Sequence, residues 1–248
     1  MTALATWRVA ARAAAITLRS MLASATLVGA AVAADERPSL VIGGVQGSSR
    51  SSFTHLGLIE PIRGGSLGQG WFRRTMASWL TYRYDTVLNG RELQARASAP
   101  GIESGLGYAW TIGPLTADAS LALGVRHTSL SADVPSDGPT GTRFTVTPQV
   151  ATRYDFNELI NAEALGAYSF GTNDRFLRAR LGLHPVERWR AGVEGAAYQG
   201  SNYRSEQRGA FVGTTFGSGG WIELIAGRAR SRDGEQSVYV GIAGSKLF

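Results

Sequence analysis

LTADASLALGVRH, residues 115–127, is the stretch that decides the fold. Its odd positions are Leu115, Ala117, Ala119, Leu121, Leu123, Val125 and His127; its even positions are Thr116, Asp118, Ser120, Ala122, Gly124 and Arg126. Side chains of a strand point alternately to its two faces, so the segment has one apolar face and one polar or small face. At helical spacing Asp118, Arg126 and the leucines share no common stripe, so the period is two. The run continues for about 13 residues, against about 5–6 for a strand of a soluble domain and about 9–11 for a tilted strand crossing a bilayer. Length and period together predict a membrane-spanning strand.

The same pattern recurs along the chain. Strands are predicted at 40–46, 52–62, 71–84, 93–111, 115–127, 143–155, 158–170, 176–183, 187–199, 208–216, 221–230 and 237–248, about twelve in all, separated by turn-rich connections. In the sixth, Phe144, Val146, Pro148, Val150 and Tyr154 oppose Arg143, Thr145, Thr147, Gln149 and Arg153. Pro148 lacks a ladder donor, so a bulge or kink is expected there. In the eighth, Leu177, Ala179, Leu181 and Leu183 oppose Arg178 and Arg180; in the ninth, Trp189, Ala191, Val193 and Ala197 oppose Arg190, Glu194 and Tyr198. The third places Phe72, Met76, Leu80, Tyr82 and Tyr84 on one face, read as facing lipid. The second is ambiguous: Leu56, Leu58 and Ile62 go outside with Glu60, or Phe53 and Ile59 with His55. Connections after the even strands are mostly short, and those after strands three, five, nine and eleven are longer. Outer-membrane barrels have an even strand number, short periplasmic turns and longer outer loops. The expected fold is an all-β, antiparallel, up-and-down transmembrane barrel over residues 35–248.

Residues 1–34 read as a secretory signal. Arg8, Arg12 and Arg19 supply a positive segment, Met21 to Val32 an apolar one, and Ala31-Val32-Ala33 a small-x-small cleavage site. The apolar run of about 12 is short of the roughly 20 residues a membrane helix needs. Loss of the three arginines with the leader lowers the formal charge from +6 to +3. The remaining arginines are dispersed singly, which argues against a nucleic-acid partner. The chain has no cysteine, hence no disulfide framework and no thiolate metal site.

Period alone does not say which face meets lipid, since a soluble sandwich alternates in the same way. Strand length, the leader and the C-terminal Phe248 favour the membrane. An inverted assignment puts Arg126, Arg153, Arg178, Arg180 and Arg190 in lipid, at about 2–4 kcal/mol for each arginine at midplane. The lumen is therefore expected to hold Asp118, Arg126, Arg143, Arg153, Glu163, Arg178, Arg180, Arg190 and Glu194, either as an ion-pair network that fills it or as a cation-lined path for acidic or polyhydroxylated ligands.

The last strand, with Val238, Val240, Ile242 and a terminal Phe248, resembles the signal by which bacterial outer-membrane barrels are recognised for assembly; Lys246 departs from it. His127 and Ser129 form an H-x-S pair similar to that of the lipid A deacylase barrels, with His127 as base and Ser129 as nucleophile; Asp133 and Asp137 lie nearby. A wider resemblance rests on Gly70-Trp71-Phe72-Arg73-Arg74, Tyr82-Arg83-Tyr84, Leu106-Gly107-Tyr108-Ala109-Trp110 and the Asp/Pro-rich segment Ser131 to Gly141. It continues through Ala191-Gly192-Val193-Glu194-Gly195 with Tyr198, Arg208-Gly209-Ala210-Phe211 and Val238-Tyr239-Val240-Gly241. The order of these stretches resembles the cellulose biosynthesis protein BcsS family. That resemblance implies a Gram-negative outer-membrane barrel serving exopolysaccharide secretion, without catalytic residues or cofactor, in contact with outer-membrane lipid and with a cellulose chain or other cellulose-synthesis components. Tyr198, Tyr203, Trp71 and Trp221 are candidate platforms for a neutral glucan. A lipid A-modifying enzyme and a simple porin are the alternatives.

Overall fold

The computed structural model describes residues 38–62, 64–88, 91–131, 139–201, 203–232 and 234–248; the expected leader lies outside them. Twelve antiparallel strands follow one another: β1 (Leu40–Ser48), β2 (Ser51–Pro61), β3 (Gly70–Leu88), β4 (Arg91–Ile112), β5 (Leu115–Leu130), β6 (Gly141–Asp155), β7 (Ile160–Ser169), β8 (Asp174–Val186), β9 (Trp189–Gln199), β10 (Arg204–Phe216), β11 (Gly220–Ser231) and β12 (Gln236–Leu247). Each pairs with its sequence neighbours, and β12 returns to β1 with Leu40 opposite Leu247, closing the barrel. Closure removes both sheet edges, which lets the strands lie in lipid without a row of unpaired edge groups.

The chain ends at the same rim as the connections β2–β3, β4–β5, β6–β7, β8–β9 and β10–β11, most of them tight. This is the periplasmic rim. Gly113, in the two-residue β4–β5 turn, has φ 57°, a conformation open to a residue without Cβ.

The reference strand faces as its alternation predicts. Leu121 and Leu123 are 54% and 65% exposed on the outside, while Ser120 and Ala122 are buried within. Leu181 and Val193 are likewise outward. Trp71, Tyr108, Tyr154, Trp189, Phe216 and Phe248 ring the periplasmic side, and Trp79, Phe144 and Phe170 mark the outer side, as girdles at the two interfaces require.

Three expectations are corrected. β3 faces the other way: Phe72 and Leu80 are buried in the lumen, and Trp71 and Trp79 point out. Gly107 opposite Phe72 makes room for that ring, since a Cβ there would lie 2.3 Å from it. Pro148 causes no bulge. Its register with β5 is continuous at Leu121, and the β6–β7 ladder simply stops at Gln149–Ala167 and reappears as one bridge, Val146–Phe170. The register shift falls instead between Leu183 and Val186, around Pro185. Finally, β10 begins at Arg204, so the second half of the loop expected at 200–207 is strand. In β2, Leu56 faces out and His55 in, which settles the ambiguity for the first alternative.

Candidate functional site

The lumen is crossed by polar contacts between strands that are not neighbours. On β8 and β9, Arg180 and Glu194 sit opposite each other in register, and Arg180 Nε donates to Glu194 Oε2 at 2.9 Å. Arg180 Nη1 also reaches Glu223 on β11 at 2.8 Å, and Tyr239 on β12 donates its hydroxyl to Glu194 Oε1 at 3.0 Å. The Phe211 ring lies 4.7 Å from the Arg180 guanidinium carbon and 5.1 Å from that of Arg190. Arg190 reaches Glu163 at 2.8 Å and donates to Asn161, whose amide meets His184 Nε2 at 2.9 Å. On the other side of the lumen Arg74, only 2% exposed, donates to Glu103 on β4 at 2.7 Å and to Gln149 on β6. Gln46 on β1 and Gln207 on β10 are hydrogen-bonded across the barrel.

Nearer the outside, Arg126 on β5 pairs with Asp174 on β8 at 2.5 Å, and Tyr203 donates to the same carboxylate at 3.2 Å. Tyr203 also meets Tyr82 of β3, ring centroids 4.8 Å apart. Tyr82 lies 6.1 Å from Tyr84. Above these rings opens a cavity of about 370 Å³ whose lining includes Ser48, Arg50, Tyr82, Tyr84, Asp85 and Tyr203. Arg50, in the β1–β2 connection, donates to Asp85 at 2.8 Å and also pairs with Glu235. The hydrogen bond to Asp85 is the main reason its guanidinium titrates above the ordinary arginine value. The Tyr84 hydroxyl is buried with no hydrogen-bond partner among the described residues.

The sequence-predicted residues fall as follows. Arg126, Glu163, Arg180, Arg190 and Glu194 make the contacts above. Arg153 pairs with Asp155 at 2.9 Å and lies 3.8 Å from Glu163. Asp118 and Arg178 line, with Arg153 and Glu163, a second cavity of about 190 Å³ toward the periplasmic side. Arg143 stands opposite Arg126 at the outer end of β6, exposed. Of the proposed platforms, only Tyr203 borders the outer cavity. Tyr198 stacks inside on Phe176 at 4.7 Å, Trp71 is outward against Tyr108 at 5.4 Å, and Trp221 is inward, 3.4 Å from Glu223. Sequence reasoning missed Arg74, Asp174, Glu223, Tyr239 and the Tyr82–Tyr84 pair as lumen groups. Their parity, once β3 is turned inward, is the signal that finds Arg74, Tyr82 and Tyr84.

His127 and Ser129 lie on the outward face of β5. His127 Nδ1 meets Thr142 Oγ1 at 2.9 Å, and Ser129 Oγ donates to the Ser98 carbonyl at 3.4 Å. Asp133 and Asp137 lie outside the described residues. Among the described residues no cluster of His, Asp or Glu could hold a metal ion.

Among solved structures, the chain is similar to an outer-membrane channel from Pseudomonas putida F1, at 12% identity, TM-score 0.52, covering 89% of this chain and 98% of that one. It is also similar to the transport unit of the autotransporter AIDA-I from Escherichia coli, at 10% identity, TM-score 0.51, covering 91% and 94%. At such identities the likeness establishes the fold, a bacterial outer-membrane barrel. None of the curated proteins matches the chain. Residues 40–248, almost the whole barrel, match the family described as cellulose biosynthesis protein BcsS, and the chain belongs to that family.

Proposed function

We propose that this barrel is a non-enzymatic accessory of cellulose secretion that holds a glucan strand at its outer mouth. The observation that carries the reading is the cavity above Tyr82, Tyr84 and Tyr203, opening on the cell exterior and edged with serines, Arg50 and Asp85. A glucan chain is neutral, with apolar sugar faces and hydroxyl edges. Aromatic rings with a few placed polar groups suit it, and the unsatisfied Tyr84 hydroxyl is a ready partner for a sugar hydroxyl. The lumen below does not serve as a conduit in this reading, because Arg180–Glu194–Glu223 and Arg74–Glu103–Gln149 cross it. That also argues against a passive pore.

Acyl hydrolysis has less support. A serine nucleophile needs its base at hydrogen-bond reach and an acid to orient that base. His127 is oriented by the hydroxyl of Thr142, which carries no charge to stabilise an imidazolium, and Ser129 is engaged with a backbone carbonyl.

The test is genetic. A strain lacking the protein should secrete less cellulose, with its lipid A mass profile unchanged. His127→Ala should restore cellulose fully, and Tyr82→Ala/Tyr203→Ala should not. Unchanged cellulose in the deletion strain, or a lipid A mass shift that depends on His127, overturns the proposal.

A further inference from the structure

The outward face of β5 is apolar from Leu115 to Val125, yet the same face of β8 to β11 changes character partway up. On β10, Ala210 and Val212 give way toward the outside to Arg208, Glu206 and Arg204; on β11, Leu224 and Ala226 give way to Arg228 and Arg230. Arg175 on β8 faces out at the same level, 5.6 Å over the Tyr168 ring. Register sets Arg230 opposite Glu206, which also pairs with Arg204 at 2.5 Å. It sets Arg208 directly opposite Arg228. Like charges facing each other across strands repel, and among the described residues neither makes an ion pair. Arg208 stands four residues inside the outer end of β10, and Arg228 three inside that of β11. At about 3.3 Å per residue, less the tilt, both guanidinium groups can reach up along the wall to headgroup level. Beside and beneath them the wall is smooth: Ala210 and Ala226 are small, and a Cβ on Gly195, the partner of Arg208 on β9, would meet nothing nearer than 3.9 Å.

We propose that Arg208 and Arg228 bind the phosphate of an anionic lipid of the outer leaflet, whose acyl chains lie over Gly195, Ala210 and Ala226. A phosphate between them replaces repulsion by two charge-assisted contacts, and Arg204 and Arg230 extend the positive field for a second phosphate. The apolar floor favours an amphiphile over a free anion.

The experiment titrates the purified full-length protein in neutral detergent with diphosphoryl lipid A, its dephosphorylated form and inorganic phosphate, counting bound lipid by native mass spectrometry. Diphosphoryl lipid A should bind about tenfold or more tighter than the dephosphorylated form, a margin that two guanidinium–phosphate contacts can supply. Millimolar phosphate should not displace it. Arg208→Gln/Arg228→Gln should erase the difference, while the protein keeps its compact, heat-modifiable migration. Equal binding of the two lipids by the natural protein overturns the proposal whether or not the variant folds. So do displacement by free phosphate and a folded variant that still discriminates.

Discussion

Glu194 shows what a single residue does in this lumen. One carboxylate oxygen takes Arg180 and the other takes Tyr239, which is 0% exposed. Removing it leaves a buried guanidinium with Glu223 as its one remaining acid, and a phenol with none, among the described residues. Glu194→Ala should therefore destabilise the barrel by about 3–5 kcal/mol, the range for breaking a buried ion pair from one side. Urea unfolding from lipid vesicles measures it. The triple replacement Arg180→Met/Glu194→Leu/Glu223→Leu should lose less than Glu194→Ala alone, because no charge is then left without a partner. Half of this cluster was legible in the chain: Arg180 and Glu194 alternate against Leu181 and Val193, so their inward aim follows from the period. Glu223 and Tyr239 were not, because what brings β11 and β12 to face β8 and β9 across the lumen is closure of the cylinder, and no local pattern encodes it. The same holds for Asp174, whose partner Arg126 lies three strands away.

At the scale of the element, alternation decides a strand's aim only when its two faces differ enough. β5 meets that condition, and Leu121→Arg tests it. An arginine near the middle of the lipid face should cost about 2–4 kcal/mol, read as a lowered urea midpoint in vesicles. A change indistinguishable from zero would mean that this face does not meet hydrocarbon. β3 fails the condition: one face carries Phe72, Arg74, Met76, Leu80, Tyr82 and Tyr84, the other Trp71, Arg73, Thr75, Ala77 and Trp79, and both mix aromatic with charged residues. Packing settled it, through the space that Gly107 leaves for Phe72 and the ion pair between Arg74 and Glu103. Strand ends were also hard to read. β3 and β4 pair from Gly70–Ala109 up to Leu88–Arg91, beyond the outer ends of β2 at Ser51 and of β5 at Leu130. Above that level β3 and β4 pair only with each other in the ladder, and the polar composition of this part of the hairpin resembles a loop.

For the whole molecule, strand number and the outward apolar surface follow from one repeated period and a length suited to a bilayer. What the period leaves open is how the interior is used. The structure divides it into levels: a cavity near the periplasmic rim, a belt of ion pairs and hydrogen bonds across the middle, and a tyrosine-floored mouth on the outside. Family membership associates the chain with cellulose biosynthesis, and in the function proposed here the mouth is where a polymer outside the cell would meet the barrel. The most direct test is calorimetric titration of cellohexaose into the folded full-length barrel in detergent. One binding site per chain is expected, weakened about tenfold or more by Tyr82→Ala/Tyr203→Ala, since losing a stacked ring and its contact area is worth roughly 1.4 kcal/mol or above. Arg208→Gln/Arg228→Gln should leave it unchanged. No binding of cellohexaose, or binding that survives loss of both tyrosines, would contradict the account.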